Sequence, residues 1–186
     1  NAANSFNFSG GTLTALSIGM PLTNTGGKLS PATLFFGAGA TSPTTAAGVV
    51  TSPIGVTTFL GANGYNQGPG GTLAIDIAST GNDFVSIGTN GAAILAGTIS
   101  LTLLHDFDPA PGSFFDILTA GSIANAATVA GQTPSGFGFD PSIVSGGNGQ
   151  LLRLTVVPEP GTFVLFGLSA LGFIFRGRLG RKPAIK

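Results

Sequence analysis

The sequence predicts an all-β body, arranged as an antiparallel β-sandwich of the jelly-roll type, followed by a hydrophobic C-terminal α-helix. Three observations predict this fold. Short runs in which apolar and polar residues alternate recur between residues 10 and 157, as expected for half-buried strands. Glycine and proline, 31 and 12 of the 186 residues, separate these runs. Residues 161–175, near the end of the chain, instead form one uncharged and mainly apolar stretch. We therefore divide the chain into a β-rich domain, residues 1–157, and a tail, residues 158–186.

Three runs carry the strand pattern most clearly. The residues that would share a buried face are Leu73, Ile75 and Ile77 in the first run, Ile99, Leu101 and Leu103 in the second, and Leu152, Leu154 and Val156 in the third. Asn-Gly pairs at residues 63–64, 90–91 and 148–149 favour tight hairpin turns, because glycine adopts a positive φ without a Cβ clash. Hairpins between neighbouring runs predict antiparallel pairing.

The pattern is weaker before residue 71. Residues 37–55, GAGATSPTTAAGVVTSPIG, are predicted to form a long exposed loop. The segments GGTLTAL from Gly10, GGTLAID from Gly70 and AGTISLT from Ala96 resemble one another, at spacings of 60 and 26 residues. Internal similarity is typical of repeat proteins. A short right-handed β-solenoid is therefore the alternative to the sandwich.

Charge is scarce and unevenly divided. Charged residues make up 8% of the chain, and the formal net charge is zero. Up to Val157 there are six acids and two bases, whereas the tail holds five bases and one acid. A weakly acidic body has no basic surface for phosphates, so we expect no nucleic-acid partner. Cysteine is absent, which excludes disulfides and thiolate metal sites.

The tail has three consecutive parts. A Val-Pro-Glu-Pro box comprises Val157, Pro158, Glu159 and Pro160. The apolar residues of the predicted helix are Phe163, Val164, Leu165, Phe166, Leu168, Leu171, Phe173, Ile174 and Phe175. The basic end contains Arg176, Arg178, Arg181 and Lys182. The uncharged span of residues 161–175 would be about 22 Å long as a helix, short for a bilayer core of roughly 30 Å, but flanking arginines can reach the interface.

This order of box, apolar helix and basic end resembles the PEP-CTERM sorting signal. The resemblance implies export through the inner membrane of a Gram-negative bacterium. The short apolar span with its flanking arginines also predicts transient anchoring there. It also implies processing by an exosortase, an integral-membrane cysteine protease, for the cell surface or the extracellular matrix. The chain begins Asn-Ala-Ala-Asn without a charged and apolar leader, and we expect that a signal peptide has been removed.

Part of the body also resembles a known module. Residues 72–123 contain a Gly-Asn-Asp-Phe turn, a Gly-Thr-Ile strand and a Phe-x-Pro-x-x-Gly corner before Phe-Asp-Ile-Leu. This outline is similar to a β-rich module of PEP-CTERM proteins and autotransporter-like passengers. The resemblance implies a structural role and carries no catalytic residue.

Candidate reactive residues are few. His105, the single histidine, lies beside Asp106 and Asp108, but the oxygen ligands that a Ca²⁺ loop requires do not follow. We interpret this segment as a polar corner and expect neither a metal nor another cofactor. A serine nucleophile would need His105 as its base, and no Gly-x-Ser-x-Gly elbow occurs. We therefore expect no enzymatic activity.

These observations predict an exported structural protein that assembles with its own copies. An apolar helix needs cover in water, so we expect it to pack against neighbouring copies in a fibre or sheet, where open strand edges could also pair. Its partners would be itself, the exosortase during sorting and the inner membrane transiently. A polysaccharide-binding adhesin of the biofilm matrix, with exopolysaccharide as a partner, is the alternative.

Overall fold

The computed structural model describes residues 5–31, 34–36, 49–51, 54–59, 64–147 and 149–158. Within these residues every helix or strand is a β-strand, which confirms the all-β prediction. In chain order the strands are β1 (Phe6–Phe8), β2 (Thr12–Leu13), β3 (Ser17–Ile18), β4 (Leu22–Asn24), β5 (Lys28–Leu29), β6 (Leu34–Phe36), β7 (Val49–Thr51), β8 (Val56–Phe59), β9 (Tyr65–Gln67), β10 (Thr72–Ala78), β11 (Gly81–Asn82), β12 (Phe84–Ile87), β13 (Ala92–Leu95), β14 (Thr98–Leu103), β15 (Phe114–Ala120), β16 (Ser122–Asn125), β17 (Thr128–Ala130), β18 (Gly138–Gly146) and β19 (Gly149–Val157).

Three open sheets form the body. The first has the order β1-β4-β9-β13-β16, and all its pairs are parallel. The second has the order β2-β5-β10-β14-β17, also parallel, with the short β11 antiparallel to the end of β10. The third has the order β3-β8-β12-β15-β19-β18. Its first four strands pair in parallel, and β19 runs antiparallel to both β15 and β18. Strands β6 and β7 form a separate antiparallel pair.

Consecutive strands occupy the three sheets in rotation. The chain places β1, β2 and β3 in the first, second and third sheets, then returns to the first sheet with β4 and repeats the order. This rotation is the pattern of a parallel β-solenoid, in which each strand pairs with its equivalent one coil away. The expected antiparallel jelly-roll sandwich is therefore wrong, and the solenoid alternative describes the strand order.

The core consists of apolar side chains stacked from coil to coil. Leu13, Leu29, Leu73, Ile99 and Val129 occupy one register position of the second sheet. The three central members are 0% exposed, while Leu13 and Val129 at the ends of the row are only half-buried. Each residue covers its neighbours in adjacent coils, so burial depends on position in the stack.

Of the glycines in the three predicted Asn-Gly hairpin turns, one lies in a hairpin and two lie at corners between sheets. Gly91 does not lie in a hairpin: it separates β12 from β13, which belong to different sheets, and is therefore a corner of the coil. Gly64 precedes β9 at the equivalent corner. Gly149, with φ 119°, does begin the second strand of a hairpin, β18–β19. Asn63 and Asn148 lie outside the described residues, as does most of the predicted 37–55 loop, of which residues 49–51 form β7.

The predicted C-terminal helix also lies outside the described residues, which end at Pro158. Among the residues that are described, no helix has the length and apolar character needed to cross a membrane.

Candidate functional site

The C-terminal end of the body is built around strand β19. This strand lies between β15 and β18, and both of its neighbours run antiparallel to it. Val156 is 1% exposed; its N–H donates to the Ser113 carbonyl at 2.9 Å, and its carbonyl accepts from the Gly112 N–H at 2.8 Å. Val157 pairs with Gly138 at the start of β18. The last strand is therefore held on both edges through Val156, and on the β18 side as far as Val157.

Pro158 ends this strand. A proline has no N–H to donate to a neighbouring strand, so the ladder cannot continue through it. Of the predicted box, Val157 thus lies in the sheet and Pro158 is half-buried just after it. Glu159, Pro160, the predicted apolar helix and the basic end lie outside the described residues.

The loop that contains His105 continues into Phe107, whose ring centroid lies 6.2 Å from that of Phe115 on β15. His105 and Asp106 both have φ 55°, and the Phe107 N–H donates to the Leu104 carbonyl at 3.1 Å, so the pair occupies the centre of a tight turn. Asp108 accepts hydrogen bonds from the N–H and hydroxyl of Ser135. The Ser135 bonds lower the pKa of the Asp108 carboxyl. The segment is a corner, as interpreted from the sequence.

No group of three or more potential metal ligands occurs among the described residues. Asp106 and His105 are exposed, and Asp108 is engaged by a loop 27 residues away. At this corner the Asp108 carboxylate holds the loop of residues 133–137 through its hydrogen bonds from Ser135.

Asp83 is a buried carboxyl that the sequence interpretation missed. Its side chain accepts hydrogen bonds from the Gly55 N–H at 2.6 Å and the Asp76 N–H at 3.0 Å, and the residue is 0% exposed. Burial raises its pKa to about 7, against the opposing effect of the two hydrogen bonds. It joins the segment before β8 to β10. The only sequence signal was its place in the Gly-Asn-Asp-Phe turn.

Buried amides occupy one corner of successive coils. Asn24 and Gln67 share a register position, and they are 0% and 1% exposed. Gln67 Nε2 donates to the carbonyls of Ala96 and Thr98, and its Oε1 accepts from the Tyr65 hydroxyl at 2.9 Å. Burial raises the pKa of Tyr65 to about 12. These polar groups satisfy backbone atoms at the corner.

An exposed aromatic ring and a half-buried ion pair lie together on the outer face of the third sheet. Arg153 forms a bidentate pair with Asp116, with N–O distances of 2.7 and 3.0 Å. Its guanidinium carbon lies 4.0 Å from the centroid of the Phe114 ring, which is 56% exposed. A shallow groove of about 330 Å³ lies further along this sheet, lined by Phe84, Thr119, Leu151 and the glycines of the β18–β19 turn.

A family model, the PEP-CTERM protein-sorting motif, matches residues 156–181. This chain carries a PEP-CTERM protein-sorting motif. The motif implies an exported protein that an exosortase handles at the cell envelope. It confirms the resemblance inferred from the Val-Pro-Glu-Pro box, the apolar stretch and the basic end. The matched residues begin within β19, because Val156 and Val157 belong to that strand.

Searches of curated proteins and of solved structures find no match to this chain. The resemblance of residues 72–123 to a module of other PEP-CTERM and autotransporter-like proteins is accordingly not confirmed.

Proposed function

We propose that the body is a non-enzymatic structural module of the cell surface or extracellular matrix of a Gram-negative bacterium, delivered there by its PEP-CTERM tail. The observation that carries this proposal is that the buried polar side chains hydrogen-bond to the backbone. Asn24 and Gln67 each donate to a backbone carbonyl of the next coil, and Asp83 accepts from backbone N–H groups of two other segments. In the described part of the chain no buried side-chain nitrogen or oxygen lacks a partner. Such an interior favours rigidity.

The sorting tail and the body make separable contributions in this proposal. Removing residues 158–186 leaves β19 complete, so we expect a folded protein that is exported but no longer retained at the envelope.

His105→Ala should leave retention and every surface phenotype unchanged, because His105 forms a turn. The measurement is immunodetection in envelope and medium fractions. A folded His105→Ala variant that loses the phenotype would support an enzyme instead.

We further propose that copies of the body associate with one another through the first coil. Exposed large apolar side chains occur there at Phe6, Leu16 and Met20, which are 44%, 40% and 44% exposed. The strand edges of β1, β2 and β3 lie at the same end of the stack. Apolar surface beside open strand edges favours pairing with another chain.

A polysaccharide-binding adhesin is the second candidate, favoured by the outer face of the second sheet. One register position of this sheet holds Thr12, Lys28, Thr72, Thr98 and Thr128 across five strands. Adjacent strands are roughly 5 Å apart, so Thr72, Thr98 and Thr128 offer three evenly spaced hydroxyl groups to an extended sugar polymer, next to the ammonium group of Lys28.

The adhesin candidate predicts a loss of binding when these hydroxyls are removed. The double variant Thr72→Val and Thr98→Val keeps the side-chain shape, and we expect roughly tenfold weaker binding to the native exopolysaccharide in a co-sedimentation assay. Thr23→Val, on the outer face of the first sheet, is the matched control and should bind normally. Equal binding by the parent protein, the double variant and Thr23→Val would remove the support for this candidate.

A further inference from the structure

The sorting motif and the fold share residues. The motif match begins at Val156, whose side chain is buried and whose N–H and carbonyl are both hydrogen-bonded. Val157, the first residue of the Val-Pro-Glu-Pro box, is still paired with Gly138. No spacer separates the last strand from the box. A sorting signal is thus joined directly to a central strand of a sheet.

A protease needs its substrate as an extended chain with free backbone groups. Proteases commonly bind such a segment by pairing with one of its edges, as an added strand. Strand β19 offers no free edge, because β15 occupies one side and β18 the other. Cleavage within it would first require local unfolding, which is least favourable for the core strands of a domain.

The side chains of β19 make this unfolding costly. Leu152, Leu154 and Val156 point into the core and are 0%, 0% and 1% exposed. Removing them from the core would expose three large apolar side chains and break the ladders to both neighbours. Pro158, which follows Val157, is the first residue outside these ladders, because it has no N–H to donate to a neighbouring strand.

We propose that β19 sets the upstream limit of processing, so that the envelope protease cleaves only C-terminal to Val157 and the folded body hinders access to the adjoining bond. In the cleavage one peptide bond breaks. The acyl carbon on the body side passes to the cysteine sulfur of the exosortase and the tail leaves with a protonated amine. Water or an amine acceptor then releases the body from the enzyme. The released body retains its complete terminal strand.

The C-terminus of the processed protein tests the upstream limit. The full chain is produced in a Gram-negative host with its exosortase, and the mature body is purified and analysed by intact mass and C-terminal peptide mapping. Every mature C-terminus should include Val157. A predominant terminus at Val156 or any earlier residue would overturn the proposal.

A spacer tests the steric part. A Gly/Ser spacer of about eight residues that ends in a second valine is placed between Val157 and Pro158; it keeps the box intact and spans roughly 25 Å when extended. The same spacer between Gly146 and Gly147, in the β18–β19 turn, is the matched control. We expect several-fold faster processing in pulse-chase only for the first variant, with both variants melting like the parent protein. Equal rates in the two spacer variants, or no cleavage of either, would overturn it.

Discussion

At the scale of single residues, the coils are held together by a few buried polar side chains. Gln67 donates to backbone carbonyls of the next coil, and the Asn24 side-chain amide donates to the Thr72 carbonyl of the next coil at 3.4 Å. Asp83 binds two backbone N–H groups from segments before β8 and within β10. Among these three side chains only Asp83 can ionise, and its pKa of about 7 makes the stability of the body depend on pH.

Asp83 should make the folded state less stable as the pH rises. Its folded-state pKa, about 7, lies above the ordinary value of 3.8, so between these values the folded protein retains a proton that the unfolded chain has released. The stabilisation is fully present below about pH 4 and is lost as the pH rises through about 7. Asp83→Asn cannot ionise. Relative to this variant, we expect the Tm of the wild-type protein to fall by several degrees between about pH 5 and about pH 8.

Circular dichroism melts at the two pH values measure this difference. Asp140→Asn, which removes an exposed carboxylate of β18 and leaves Asp83 in place, is the control and should follow the wild-type protein. If wild type and Asp83→Asn had the same pH dependence, the carboxyl of Asp83 would not titrate in this window.

At the scale of elements, glycines at the corners allow the chain to pass from one sheet to the next. Gly97 lies between β13 in the first sheet and β14 in the second. Its φ is 74°, in the left-handed region, and a Cβ there would lie 2.7 Å from the Pro69 carbonyl oxygen and 2.8 Å from that of Gly68. The corner of the previous coil therefore leaves no space for a side chain at this position.

Gly97→Ala should consequently destabilise the body. The left-handed conformation alone costs a non-glycine residue about 1–2 kcal/mol, and the contact with backbone oxygens adds to this, so we expect a loss above about 2 kcal/mol. Gly19→Ala is the matched control, since Gly19 has open space around it and no positive φ; it should change stability by less than about 0.5 kcal/mol. Urea unfolding measures both. Similar losses in the two variants would contradict this account of the corner.

At the scale of the whole molecule, the two ends of the stack differ. The third sheet extends by an antiparallel hairpin at the C-terminal end, where the edge strand β18 contains Pro141 and so lacks one donor. The Gln150 side chain also accepts the Ile123 N–H, a donor of the edge strand β16. Both features discourage the addition of another strand. The first coil has β1, β2 and β3 at its edges and exposes large apolar side chains.

Association between copies should therefore depend on the first coil. We expect the double variant Leu16→Ser and Met20→Ser to reduce the associated fraction of the released body in sedimentation velocity, because it removes apolar surface from that end. Ile94→Ser, 51% exposed on the outer face of the first sheet, is the control and should sediment like the parent protein. A greater loss of association with Ile94→Ser than with the double variant would place the contact on the side of the stack.

The sequence by itself determined the sorting tail and the strand content of this protein. The tail could be identified because its box, apolar stretch and basic end are contiguous, and the strands because alternation is local. The similarity of the segments at Gly10, Gly70 and Ala96 also had a structural cause, since Thr12, Thr72 and Thr98 share one register position of the second sheet.

Only the tertiary structure decided how the strands pair. A strand with one buried face has the same period of two in a parallel and in an antiparallel sheet, and an Asn-Gly pair suits a coil corner as well as a hairpin. The partner of Thr72 is Thr98, 26 residues along the chain, with strands of the other two sheets between them. Asp83 could not be identified as buried for the same reason: its environment is made by Gly55 and Asp76, which the coil brings together.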